Sequence, residues 1–98
     1  MSTVTADDYE TLPWETVEST NIRRVAWEGA KGTTRSEAPD DDETGVLWVE
    51  FHTGRAYSYA DVPYGVHREL LDAESAGRYF AANVRNDFEY ESVQVRAR

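Results

Sequence analysis

The sequence predicts an α+β domain. A small antiparallel sheet of three strands, or of four if the C-terminal segment adds one, is packed on one face by two helices. Alternating runs over residues 46–52 and 55–60 meet at Thr53–Gly54, which is typical of a β-hairpin. Apolar residues at helical spacing follow Pro63 in two segments. These two patterns together predict strands followed by helices.

The length and composition indicate one small domain. The chain has 98 residues, of which 40% are hydrophobic, and no run approaches the roughly 20 apolar residues that cross a membrane. The N-terminus lacks the basic start and apolar stretch of a signal peptide. We therefore expect a cytoplasmic protein with no membrane contact. Because the chain has no cysteine, disulfides and cysteine-based metal sites are excluded, and neither a metal nor a cofactor is expected.

The negative charge is unevenly distributed along the chain. The net charge of −9 disfavours contact with nucleic acid, because the phosphate backbone attracts lysine and arginine. Acidic residues are concentrated in residues 1–20 and 40–43, whereas arginines nearly balance the acids between residues 46 and 86. The acidity therefore lies mostly outside the predicted core.

Residues 1–17 show neither helical nor strand periodicity, and we expect a mobile acidic N-terminal tail. Trp14, which follows Pro13, is the exception, because a lone tryptophan often fixes such a tail in a groove. Docking on the chain's own domain is favoured over docking on a partner. Trp14 is nevertheless a candidate binding residue.

Residues 21–28 are predicted to form the first strand, and residues 29–45 an expanded acidic loop that is rich in Gly, Ser and Thr. The acids at 40–43 invite comparison with a calcium-binding EF-hand loop, which requires a glutamate at its twelfth position. That position is Phe51, so no calcium site is predicted.

The register of the hairpin decides which way Tyr57 and Tyr59 point, because side chains alternate along a strand. If Thr53–Gly54 is a two-residue loop, both tyrosines belong to an exposed aromatic and basic platform on which bases or peptides stack. That platform would also contain Trp48, His52 and Arg55.

The other register places Gly54 in the left-handed position of a bulged three-residue loop, so that both tyrosines join the core. Trp48 and His52 then lie on the opposite face, where the N-terminal tail or a partner could cover the tryptophan. Burying two aromatic side chains contributes several kcal/mol at about 25 cal/mol per Å², which favours this register.

Two helices are predicted after the hairpin. Pro63 suits the first turn of the first helix, with Asp61 placed to cap it. Ser75 is the expected N-cap of the second helix, which ends near residues 85–87. Arg78 and Arg85 lie nearly on one face of this helix and could steer an anionic ligand, although nearby acids favour a solvated, salt-bridged surface.

Three motifs together resemble those of the KTSC domain, a small module found at the C-terminus of some lysyl-tRNA synthetases and alone in bacterial and phage proteins. They are Leu-x-Val-x-Phe over residues 47–51, Tyr-x-Tyr-x-x-Val-Pro over 57–63 and Ala-x-Ser-x-Gly over 73–77. The resemblance spans residues 18–90 and leaves residues 91–98 as a C-terminal tail or a short extra strand.

The chain departs from the family pattern at three positions and in its expanded loop. Trp27 and Phe88 stand where the family commonly has tyrosine, and Ala81 stands where asparagine is common. The resemblance implies a fold more than a function, because the family has no established activity. RNA binding has been suggested for it, largely from its attachment to a tRNA enzyme.

The sequence favours a binding module over an enzyme. His52 and His67 are the only histidines, and neither belongs to a metal motif or lies near an obvious catalytic partner in sequence. We expect a bacterial or phage accessory protein that contacts another protein through the tail, the acidic loop and Trp48. RNA binding through the Tyr-x-Tyr face with Arg55 and Arg85 is the second hypothesis, and capture of a small nucleotide-like ligand is the third. The oligomeric state stays open.

Overall fold

A computed structural model describes residues 2–29 and 40–96 of the chain. The chain forms six strands and three helices in this part. In chain order they are β1 (Ser2–Thr5), α1 (Ala6–Glu10), β2 (Trp14–Thr16), β3 (Ile22–Gly29), β4 (Thr44–Phe51), β5 (Ala56–Pro63), α2 (Tyr64–Asp72), α3 (Ala76–Asn83) and β6 (Tyr90–Arg96). The expanded loop predicted for residues 29–45 falls mainly on residues 30–39, which lie outside the described residues.

The strands form one mixed sheet in the order β1-β6-β5-β4-β3-β2. The pairing of β1 with β6 is parallel, and the other four pairings are antiparallel. The α+β class is confirmed, but the predicted sheet of three or four antiparallel strands is wrong. β6 is the extra strand that the C-terminal alternation suggested, and two further strands come from the N-terminal segment.

The N-terminal segment, residues 2–16, is here called the strap. β1 forms one edge of the sheet and β2 the other, while α1 packs on the sheet face opposite α2 and α3. Thr5 caps α1, since its Oγ1 accepts a hydrogen bond from the backbone N–H of Asp8 at 3.2 Å. The prediction that residues 1–17 lack secondary structure is therefore wrong. The sequence shows no helical or strand period there because the two strands have only four and three residues and the helix only five.

The hairpin between β4 and β5 adopts the register with the three-residue loop. Gly54 has a φ of 92°, and the backbone N–H of Phe51 donates to the carbonyl oxygen of Arg55 at 2.8 Å. This pairing places Val49 opposite Tyr57 and Leu47 opposite Tyr59. Both tyrosines therefore face the helices, and Tyr59 is only 4% exposed. The exposed-platform register is not adopted.

The helices α2 and α3 cover the face of the sheet opposite α1. The Oγ of Ser75 accepts a hydrogen bond from the backbone N–H of Arg78 at 3.3 Å, as the predicted N-cap of α3 requires. Pro63 itself is the N-cap residue of α2, and Asp61 lies within β5, so the predicted aspartate cap is wrong. The core under both helices contains Ile22, Val25, Trp27, Leu47, Val49, Tyr59, Val62, Leu70, Ala76, Phe80 and Val84.

Candidate ligand-binding groove

A groove of about 610 Å³ lies between the tip of the β4–β5 hairpin, the start of β6 and α3. The hairpin brings its own residues to the groove, and the end of α3 adds residues from the far side. The predicted site residues that line it are His52, Arg55, Tyr57, Tyr59 and Arg85. Residues that are separated by up to thirty-three positions in sequence thus meet at one surface.

Aromatic rings line the groove in a continuous series. Tyr57 contacts Phe51 at 5.8 Å and Tyr90 at 5.7 Å between ring centroids, both edge to face. Tyr59 contacts Tyr90 at 5.7 Å and Phe80 at 5.4 Å. Because Tyr90 is 59% exposed and Tyr57 is half-buried, these two rings offer accessible faces, whereas Tyr59 forms part of the floor.

The environment of Tyr59 matches this position in the floor. Burial is the main cause that raises the pKa of Tyr59 to about 12, with smaller contributions from Tyr90 and Tyr57. Its phenol therefore remains neutral at physiological pH. Tyr59 is a neutral, largely apolar surface beneath the more exposed rings.

The charge of the groove is opposite to that of the whole chain. Arg55 and Arg85 are exposed at its rim, and no aspartate or glutamate is found among the described residues that line it. The chain as a whole carries a net charge of −9. Two arginines without a lining carboxylate make this groove locally attractive to an anion.

His52 holds one wall of the groove in place. Its Nε2–H donates to the backbone carbonyl oxygen of Ser19 at 3.0 Å, and its backbone N–H donates to the carbonyl oxygen of Asn21 at 2.9 Å. The Oγ of Ser19 in turn accepts from the backbone N–H of Ile22 at 3.1 Å. His52 is therefore a residue that positions the wall rather than a free acid or base.

Gly77 allows α3 to approach this wall closely. A Cβ atom at Gly77 would lie 3.1 Å from the Oγ of Ser19, which is tighter than ordinary van der Waals contact. The absence of a side chain thus lets the helix pack against the turn at Ser19–Asn21. This close contact fixes the width of the groove at its helical side.

Trp48 and Trp14 lie on the opposite face of the sheet. Trp48 lines a second groove, of about 770 Å³, with Val46, Ser58 and Ala60. Its Nε1–H is buried and has no hydrogen-bond partner among the described residues. Trp14 belongs to the strap, where its Nε1–H donates to the carbonyl oxygen of Tyr9 at 2.7 Å. Trp14 thus docks on the chain's own domain.

The remaining predicted site residue, Arg78, is exposed in the first turn of α3 and lines neither of the two grooves. The other histidine, His67, is buried under the edge of the sheet, where its Nε2 lies 2.9 Å from Oε2 of Glu15. In residues 2–29 and 40–96 no group of three or more His, Cys, Asp and Glu residues could hold a metal ion. No helix in these residues is long and apolar enough to cross a membrane.

The groove is also lined by Tyr90, Asn86 and the turn at Thr20–Asn21, which the sequence-based prediction of the site did not include. Tyr90 had a usable signal, because the alternation of the C-terminal segment predicts a strand on which this residue takes a definite face. The other residues are polar loop positions. Only the tertiary fold brings them beside the hairpin.

Residues 41–88 match the family model of the KTSC domain. The lysine–tRNA ligase of Trichormus variabilis is 35% identical over 63 residues, which are 64% of this chain and 11% of that protein. The lysine–tRNA ligase of Nostoc sp. is 40% identical over 50 residues, or 51% of this chain and 9% of that protein. The chain thus spans about a tenth of the length of these curated relatives.

Two smaller proteins are also similar. An uncharacterized protein of Stutzerimonas stutzeri is 48% identical over 40 residues, which are 41% of this chain and 56% of that protein. The crystal structure of a KTSC domain protein from Yersinia pestis superposes with a TM-score of 0.62 and 23% identity, covering 81% of this chain and 93% of that one. This last likeness concerns the fold.

Proposed function

We propose that this chain, whose residues 41–88 match the family model of the KTSC domain, is a non-catalytic module that binds single-stranded RNA in the groove between the β4–β5 hairpin and α3. The family is not a known catalytic one. The phosphates would contact Arg55 and Arg85, and a base would stack on the exposed faces of Tyr57 and Tyr90.

One observation carries the proposal: an acidic chain has a groove that is lined by aromatic rings and two arginines but by no described carboxylate. Single-stranded RNA is recognised by stacking of its unpaired bases on aromatic rings and by contacts of its phosphates with cations. Stacking is worth about 1–3 kcal/mol per base. The groove offers both kinds of contact side by side.

The relatives are consistent with this partner class. Two of them are lysine–tRNA ligases, and the similarity is confined to about a tenth of their length. We infer for this chain only a contact with RNA, and not the aminoacylation reaction of those enzymes. A bacterial or phage accessory role also stays a prediction.

A protein partner is the second candidate. The observation in its favour is the half-buried Trp48, whose Nε1–H lacks a partner among the described residues. The strap, however, packs beside Trp48 on the chain's own sheet, and so the predicted tail is engaged within the domain. Capture of a small nucleotide-like ligand would use the same aromatic groove as RNA.

Titration with single-stranded RNA and tRNA at increasing salt tests the proposal. Affinity should fall steeply with salt, because each phosphate neutralised on a single strand contributes about 0.7 to the slope of log K against log salt. Arg55→Gln and Arg85→Gln should each weaken binding and reduce this slope. Arg78→Gln is the matched control, since Arg78 is an exposed arginine outside both grooves.

The outcomes separate the candidates clearly. Loss of affinity in the two groove variants but not in Arg78→Gln would support RNA binding in the groove. No binding at low salt, or equal losses in all three variants, would contradict it. Binding of a mononucleotide as tight as that of the RNA strand would favour the small-ligand hypothesis instead.

A further inference from the structure

The two grooves open on either side of one stretch of sheet edge. Arg85, Asn86 and Tyr90 line both of them. β1 pairs with residues 93–96 of β6, so among the described strands β6 is outermost at residues 90–92. No described strand therefore covers this edge at the point where the two grooves meet.

From this juxtaposition we propose that a single RNA strand continues around the edge at Tyr90 from the first groove into the second, where a base packs against Trp48. This inference rests on the proposed function and deepens it. The ligand is then an oligonucleotide long enough to reach both faces of the sheet, and not a single nucleotide.

The charged residues around the second groove indicate which part of the RNA strand lies at each place. Arg85 lies at the junction of the grooves, where it would contact a phosphate, whereas Glu89 and Glu91 line the second groove and would repel one. The floor of the second groove is formed by Val46, Trp48 and Ala60. This apolar floor suits a base with its phosphate held outside, at the junction.

Trp48 contributes an aromatic ring to this floor. Its side chain is half-buried and lines the groove, so part of the ring is open to a ligand. Its Nε1 is covered by the chain's own atoms and is not open to a base. The contact that we propose is therefore stacking of a base on the exposed part of the ring.

The experiment measures the affinity of the full chain for oligouridylates of increasing length, from about two to about eight nucleotides, at one low salt concentration. Affinity should rise with length until both grooves are occupied. Trp48→Ala should lower the affinity for the long oligonucleotides about tenfold and leave the affinity for the dinucleotide unchanged. Trp48→Phe should cause a smaller loss, since it keeps a smaller ring on which a base can stack.

Trp14→Phe is the matched control, because Trp14 lines neither groove. Trp48→Phe also guards against unfolding of the alanine variant, and its fold can be checked by circular dichroism. Binding that does not depend on length, or a folded Trp48→Ala protein that binds every length like the unaltered chain, would overturn this inference while leaving the proposed function intact. Failure of all lengths to bind would overturn both.

Discussion

The two faces of the sheet are stabilised in different ways. The face under α2 and α3 is closed by a large apolar core in which Val49, Val62 and Leu70 are fully buried. The face under the strap has a small cluster around Tyr9, Ala56 and Val93. One face therefore has enough apolar area for packing to dominate, whereas the other depends on a polar network.

Glu50 is the centre of that network. It is 7% exposed, accepts a hydrogen bond from the hydroxyl of Tyr9 and pairs with Nη2 of Arg24 at 3.0 Å. The guanidinium of Arg24 also lies 4.4 Å from the ring centroid of Trp14. Burial alone would raise the pKa of Glu50, but the hydrogen bonds of Arg24 and Tyr9 outweigh it and hold the pKa below its ordinary value. The strap is thus fixed to the sheet by a charged glutamate.

The largest expected effect is on the free energy of unfolding, and it is tested with one buried valine on each face of the sheet. Val49→Ala removes two methyl groups from the fully buried core under the helices and should lower the free energy of unfolding by about 2–3 kcal/mol. Val93→Ala on the strap-covered face should cost about 1 kcal/mol, since its cluster is small and close to solvent. Urea unfolding measures both values. Equal losses would contradict the distinction between the faces.

The second prediction concerns the charge of Glu50. Glu50→Gln should cost about 2 kcal/mol at neutral pH, because it removes the buried carboxylate charge and leaves the partly buried Arg24 with the exposed Glu10 as its remaining ion-pair partner. Since the pKa of Glu50 is lowered in the folded state, its contribution is present above about pH 4.5 and is lost as the pH falls through the lower folded value. The difference between the two proteins should therefore shrink in acid.

Urea unfolding at several pH values tests this, with Glu28→Gln as a control, since Glu28 is an exposed glutamate on β3. A difference between the Glu50→Gln and unaltered proteins that persists unchanged at pH 3 would rule out a stabilising charge. An equal effect of Glu28→Gln would show that the loss is not specific to the network.

The smallest predicted effect is at His67, which connects the strap to the helix side. Burial lowers the pKa of His67, and the hydrogen bond and charge of Glu15 oppose this only in part. The unfolded chain therefore binds a proton more readily, and stability should fall as the pH falls from about 6.5 through the folded pKa. His67→Gln should remove this dependence, and His52→Gln, at an exposed histidine, should not. An unaltered pH profile in His67→Gln would contradict the assignment.

The hairpin shows how far the sequence alone reaches. Its strands and its glycine turn follow from the alternating pattern, but a shift of one residue reverses the direction of Tyr57 and Tyr59. Burial energy favours the register that the structure adopts, with Gly54 at positive φ. The groove residues on the hairpin could therefore be identified in advance, although not the wall that faces them.

The strap could not be predicted for a physical reason. β1 pairs in parallel with β6, a strand about ninety residues later in sequence, and this pairing leaves no local signal. Glu50 likewise looks like an ordinary surface residue of an alternating strand until Tyr9 and Arg24 surround it. Contacts of this kind depend on the whole fold and not on any one segment.

The placement of β1 and β2 has a consequence for association between molecules. Edge strands present unpaired backbone groups that can join another chain, and short edges limit this tendency. Here both edges are short and both belong to the same sixteen N-terminal residues. Proteolytic loss of that one segment would uncover the whole of β3 and β6 together, and so a single cleavage would give the sheet two long edges that can pair with other chains.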